Sequence, residues 1–124
     1  MKAVRLIMCI AVGMMLMIGA NGCENKNEKS KSSDKLVLID FYATWCGPCK
    51  AMSPVMDNME KKFGDKIEFK RIDVDQEGEL AQKYDVRSIP NIVILSPDGE
   101  VLENIVGYHD ADEMNEILSK VLNK

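Results

Sequence analysis

The chain has one tryptophan, one histidine, four cysteines and four prolines among 124 residues. Each scarcity excludes something. Four cysteines are too few for a disulfide-dense miniprotein. A structural zinc site takes four ligands, and His109 is the only histidine to join the cysteines. Basic residues number 16 against 20 acidic ones, a net charge of −4. That balance lacks the basic face of a nucleic-acid binder. The uncharged apolar run Leu6–Ala20 falls short of the roughly 20 residues needed to span a bilayer. The length leaves room for one domain, with no internal repeat. What is present is a chain of 46% hydrophobic residues, too apolar to stay unfolded.

The composition has a seam. Residues 1–22 hold five of the nine methionines, no acid, and only Lys2 and Arg5 as bases. A basic start, an apolar run and the small residues before Cys23 form the layout of a secretory signal. Without that segment the net charge becomes −6. Gly22-Cys23 resembles the lipobox of bacterial lipoproteins, in which the cysteine is lipidated and becomes the new N-terminus. Ala20 and Asn21 depart from the usual lipobox residues, so cleavage after Ala20 or Gly22 without lipidation stays open, as does an uncleaved anchor. Residues 24–35, ENKNEKSKSSDK, contain no apolar side chain and cannot bury enough surface to order themselves. With Cys23 they read as a tether over 23–35, reaching at most ~40 Å, ahead of a domain over 36–124.

Apolar patterning in that domain predicts seven elements. Leu36–Tyr42, LVLIDFY, reads as a central strand covered on both faces. Pro48–Phe63 carries Met52, Val55, Met56, Met59 and Phe63 at helical spacing, with Gly64 as a C-cap. The methionines there read as core filler. Ile67–Val74 is a second strand, and Asp75–Tyr84 a short helix capped by Asp75. Asn91–Leu95 and Val101–Val106 flank the turn Ser96-Pro97-Asp98-Gly99. Asp110 and Glu113 fit a capping box for a last helix. The order is β-α-β-α-β-β-α, with parallel pairs expected across both β-α-β crossovers and an antiparallel hairpin at the edge.

The chemistry sits at Trp45-Cys46-Gly47-Pro48-Cys49, on the turn from the first strand into the first helix. With Asp40 six residues upstream, Pro54 in the helix, Ser88-Ile89-Pro90 before the third strand and Gly107 after the fourth, Leu36–Leu122 resembles the thioredoxin family. The resemblance implies an α/β thioredoxin fold with a mixed four-stranded sheet. Only the polar tether precedes Leu36, so the family's usual first strand and helix are expected to be missing, leaving the second strand at a sheet edge.

The resemblance also implies roles. Cys46 is the nucleophile and Cys49 the resolving thiol of a redox-active disulfide that needs no other cofactor. A helix N-terminus favours the Cys46 thiolate. Asp40, a carboxylate in an apolar strand, is expected to be buried, with its pKa raised, and to take the proton from Cys49. Pro90 is expected to be cis, with Ile89 offering its backbone to substrate. Trp45, Gly47, Pro48, Ile89, Pro90, Val106 and Gly107 would form the substrate surface. Arg71 stands where the family often has a lysine, and reads equally as a solvated charge. His109 and Lys50 read as surface residues.

Taken together, the sequence predicts an enzyme of the bacterial envelope, lipid-anchored through Cys23 and facing the periplasm or exterior. It is expected to act as a monomer that reduces disulfides of exported proteins and is recharged by a membrane thiol-electron donor. An oxidant or isomerase is the alternative within the class. A static bridge, a zinc site or a docking module are the competing readings of the cysteine pair.

Overall fold

The computed structural model describes residues 34–124. The expected signal segment 1–22, the lipidation of Cys23 and the tether up to residue 33 lie outside the described residues. Among the described residues no helix is long and apolar enough to cross a membrane, and no strand or helix precedes Leu36.

The elements are β1 (Leu36–Tyr42), α1 (Gly47–Phe63), β2 (Ile67–Asp73), α2 (Gly78–Lys83), β3 (Asn91–Leu95), β4 (Val101–Val106) and α3 (Ala111–Leu122). They build one mixed sheet in the order β2-β1-β3-β4. β1 and β3 are the inner strands. That explains their nearly unbroken apolar sequences, since an inner strand between two layers has no solvent face. β2 and β4 are the outer strands among the described residues.

One crossover differs from expectation. β1 and β2 pair in parallel, but β3 pairs antiparallel with β1. The lengths of the connecting helices explain this. The 17 residues of α1 rise ~26 Å, enough to return the chain along the whole of β1. The six residues of α2 rise only ~9 Å. The chain therefore re-enters the sheet at the end it left, and β3 runs the opposite way. β4 follows as an antiparallel hairpin partner of β3, closed by the Ser96–Gly99 turn, where Gly99 has φ +90°.

Side-chain alternation sorts the core into two layers. Leu38 of β1 and Ile92 and Ile94 of β3 pack with Met52, Val55, Met56, Met59 and Phe63 of α1 and with Met114, Leu118 and Val121 of α3. Ile39, Phe41, Val93 and Leu95 face the other way, against Ala81, Leu80 and Tyr84 around α2. Asp40 and Asn91 are the two polar residues buried with them among the described residues.

Three helix ends were expected to be capped. The box at α3 forms as expected: Asp110 accepts from the N–H of Asp112 and Glu113, and Glu113 reaches back to the N–H of Asp110. Gly64 is the C-cap of α1 as expected, its N–H donating to the Glu60 carbonyl at 2.9 Å, whereas the expectation for α2 is corrected. Gly64 does not take the left-handed conformation, since its φ is −59°. Space selects it instead, because a Cβ there would stand 2.7 Å from the Glu60 carbonyl oxygen. Asp75 does not cap α2, whose N-cap residue Glu77 makes no side-chain cap bond. The Asp75 carboxylate is engaged elsewhere.

Candidate active site at the dithiol turn

β1 ends at Tyr42 and α1 begins at Gly47. The four residues between place Cys46 at the N-cap of α1. Its backbone N–H donates to the Ala43 carbonyl at 3.2 Å, and its own carbonyl accepts from the Lys50 N–H at 3.1 Å. Pro48 lies in the first helical turn, where its missing N–H leaves no bond unmade. Gly47 is exposed, with open space where a Cβ would stand. Cys46 and Cys49 are joined as a disulfide with Cα atoms 5.3 Å apart. Both residues are buried, so exposure does not separate their roles. Hydrogen bonding does: the Cys49 N–H donates to Cys46 Sγ at 3.2 Å. That donor, together with the positive end of the helix dipole, favours negative charge on Cys46.

The turn is held from three sides. Trp45 is exposed, yet its Nε1–H donates to Asp75 Oδ2 at 2.8 Å. Asp75 is thereby the anchor of the residue before the nucleophile rather than a helix cap. Ile89 packs against the cluster of Ala43, Cys46 and Cys49. The Ile89–Pro90 peptide is cis, as the resemblance implied. The carbonyl of Pro90 accepts from the Gly107 N–H at 2.8 Å. Gly107 has φ +96°, a conformation that favours glycine. The end of β4 is thus tied to the proline loop. Val106, opposite Asn91 in the ladder, is exposed. Tyr108 is exposed beside it and was missed by the sequence reading. The His109 Nδ1 lies 3.1 Å from Glu113 Oε2 on α3.

Behind the disulfide lies a cleft of about 200 Å³ lined by Asp40, Tyr42, Ala43, Thr44, Cys49, Lys50, Ser53 and Arg71. It brings Asp40 and Cys49 together. Asp40 is 6% exposed. Burial pushes its carboxyl up to about 6, with the Arg71 guanidinium pulling in the opposite direction. Arg71 is the strand partner of Asp40, with its Nε 3.8 Å from Asp40 Oδ2. Its terminal nitrogens bind α1: Nη1 donates to Ser53 Oγ at 3.2 Å and Nη2 to the Ser53 carbonyl at 3.0 Å. Nη2 also lies 3.0 Å from Asp57 Oδ1. Arg71 is therefore a fixed part of the cleft, not a free edge charge. Ser53 and Asp57 escaped the sequence reading. Their spacing of four marks one helix face, but which strand that face meets depends on the tertiary register.

A disulfide on a helix N-cap, a cis-proline loop across from it and a buried carboxyl sharing the cleft define a thiol–disulfide oxidoreductase. The family model described as Thioredoxin matches residues 21–120. The thioredoxin of Bacillus subtilis is 43% identical over 93 residues, 75% of this chain and 88% of its own length. The thioredoxin of Listeria monocytogenes is 39% identical over 92 residues, 74% of this chain and 88% of its own. Among solved structures, the germline-specific thioredoxin Deadhead of Drosophila melanogaster superposes with a TM-score of 0.67 at 38% identity, covering 72% of this chain and 83% of that one. A thioredoxin of Malassezia sympodialis gives 0.65 at 36% identity, covering 72% and 79%. The chain belongs to the thioredoxin family, and as a member it acts on disulfide-containing substrates through the Cys46–Cys49 pair.

Proposed function

We propose that the protein is a disulfide reductase of the bacterial envelope, anchored through lipid on Cys23. The observation that carries the chemistry is the Cys49 N–H aimed at Cys46 Sγ. Cys46, as thiolate, attacks a substrate disulfide. One substrate sulfur leaves as a thiolate and the other joins Cys46 in a mixed disulfide. Asp40, ionised and in the same cleft, takes the proton of Cys49. The Cys49 thiolate then attacks Cys46 Sγ, closes the Cys46–Cys49 bond and expels the second substrate thiolate. Two electrons have passed to the substrate, and the proton from Cys49 remains on Asp40. Trp45, Pro48, Ile89, Val106, Gly107 and Tyr108 offer the substrate an apolar surface beside Cys46.

The envelope assignment is supported by the sequence of residues 1–23, with its basic start, apolar run and Gly22-Cys23. The Gly47-Pro48 spacer supports reduction by its likeness to reducing members of the family. A reductant in an oxidising compartment requires a dithiol donor across or within the membrane. The test is a Cys49→Ser chain expressed at full length in its native type of cell. Trapped mixed disulfides with exported proteins support the reading, as does loss of membrane association in a Cys23→Ser variant. Partners confined to the cytoplasm contradict it.

A further inference from the structure

Arg71 has five N–H donors on a planar fork. Those on Nη1 and Nη2 reach Ser53 and Asp57 of α1 at 3.0–3.2 Å. Nε is left 3.8 Å from Asp40 Oδ2, longer than the 2.7–2.9 Å of a charge-assisted hydrogen bond. The guanidinium thus stands near Asp40 without bonding it. This is unexpected from charge alone. Asp40 is the more buried of the two carboxylates, with its side chain 8% exposed against 54% for Asp57. An ion pair is stronger where water is excluded, so an unrestrained arginine would close on Asp40. The fork is held off by α1.

We propose that Asp57 is a positioning residue: by holding Arg71 on α1, it keeps the guanidinium from pairing directly with Asp40 and so preserves the ability of Asp40 to exchange a proton. A directly bonded arginine would lock Asp40 as a carboxylate too weakly basic to accept a proton from a thiol. Removing the cation would leave only burial, which favours the neutral form. The clamp sets the intermediate case. Ser53 assists through both its hydroxyl and its carbonyl.

The other groups facing Asp40 do not substitute for this pair. Lys50 and Cys49 reach the cleft from α1, and Tyr42 from β1 itself. β3 opposes Asp40 with Ile92, and α3 contributes Met114, Leu118 and Val121 to that layer. Arg71 is the only cation that the structure pairs with Asp40 among the described residues.

The test is the titration of the Asp40 carboxyl, followed by carbonyl carbon NMR in the oxidised protein. Asp57→Asn keeps the shape of the side chain and removes its charge. Its Asp40 midpoint is expected to fall by at least about half a pH unit, a roughly threefold gain in acidity. The same substitution in an Arg71→Ala background is expected to leave the midpoint unmoved, because Asp57 acts through Arg71. An unshifted midpoint in Asp57→Asn overturns the proposal. A shift of equal size in both backgrounds also overturns it, since Asp57 would then act by its own field. Thermal melting of each variant shows that the fold is retained. The consequence for catalysis rests on Asp40 as proton acceptor, and a second measurement isolates that reading. If the midpoint moves but the pH profile of mixed-disulfide resolution does not, the clamp stands and the proton-acceptor role falls.

Discussion

The backbone N–H of Cys49 lies 3.2 Å from Cys46 Sγ, one helical turn above it. The bond is made at the N-cap, where the unpaired N–H groups of α1 and its dipole act on the same sulfur. Among the described residues no hydrogen-bond donor is placed on the Cys49 sulfur. At pH 7 the fully reduced protein should therefore be alkylated at Cys46 about tenfold faster than at Cys49. Peptide mapping after a short pulse of iodoacetamide reads this directly. Equal labelling would assign the attacking role to neither cysteine.

Asp40 should make stability depend on pH in a defined direction. Its ordinary value of 3.8 is raised to about 6 in the folded chain, chiefly by burial and despite Arg71. Between these two values the folded state holds more of the proton than the unfolded state, so stability falls as pH rises through the window. The full difference of about two units corresponds to about 3 kcal/mol. Asp40→Asn should remove this component and leave a chain more stable than the parent at pH 7 but not at pH 4. Urea midpoints at the two pH values test it, and an unchanged gap between variant and parent would contradict the burial argument. The same variant should slow resolution of a mixed disulfide by about 100-fold at neutral pH.

Glycines at the two ends of α1, Gly47 at its start and Gly64 at its C-cap, should respond differently to alanine. At Gly64 the added Cβ meets the Glu60 carbonyl oxygen at 2.7 Å. Main chain must move to relieve that contact, so Gly64→Ala should cost about 1–3 kcal/mol. At Gly47 nothing lies within 4 Å of the added atom, and Gly47→Ala should stay within about 0.5 kcal/mol of the parent. Denaturant unfolding of both variants provides the comparison. A slower reaction with protein disulfides in Gly47→Ala, at unchanged stability, would place Gly47 under the substrate chain.

Trp45 presents most of its surface to solvent, 68%, and is held at its tip by Asp75. Trp45→Phe keeps a ring but loses the Nε1–H donor. The loss of one solvent-facing hydrogen bond should cost no more than about 1 kcal/mol. Reduction of a protein disulfide should slow more than reduction of a small aromatic disulfide, because only the larger substrate spans the surface beside Cys46. Parallel assays with the two substrates check this, and equal slowing would argue for an effect on the cysteines themselves.

Much of this architecture was legible because local pattern and global fold agree. The apolar run of Leu36–Tyr42 fits an inner strand, and the stripe from Met52 to Phe63 has the spacing of a buried helix face. The dithiol, Asp40 and Pro90 were found through the family pattern carried by single residues. The features that escaped depend on what the chain meets in space. Asp75 looked like a cap because its position before a helix is where caps occur, but Trp45 arrives from another element and takes the carboxylate. The direction of β3 follows from the short reach of α2, which propensity does not report. Ser53 and Asp57 look like ordinary polar positions on an exposed helix face until the register of β2 brings Arg71 opposite them.

The central claim is that the Cys46–Cys49 pair donates electrons to substrate disulfides. Its most direct test is the reduction potential of the pair in residues 24–124, equilibrated against defined thiol buffers. A value near that of reducing members of the class, about −270 mV, is predicted. A value near −120 mV, that of a strong oxidant, would contradict the account and make the protein a donor of disulfides.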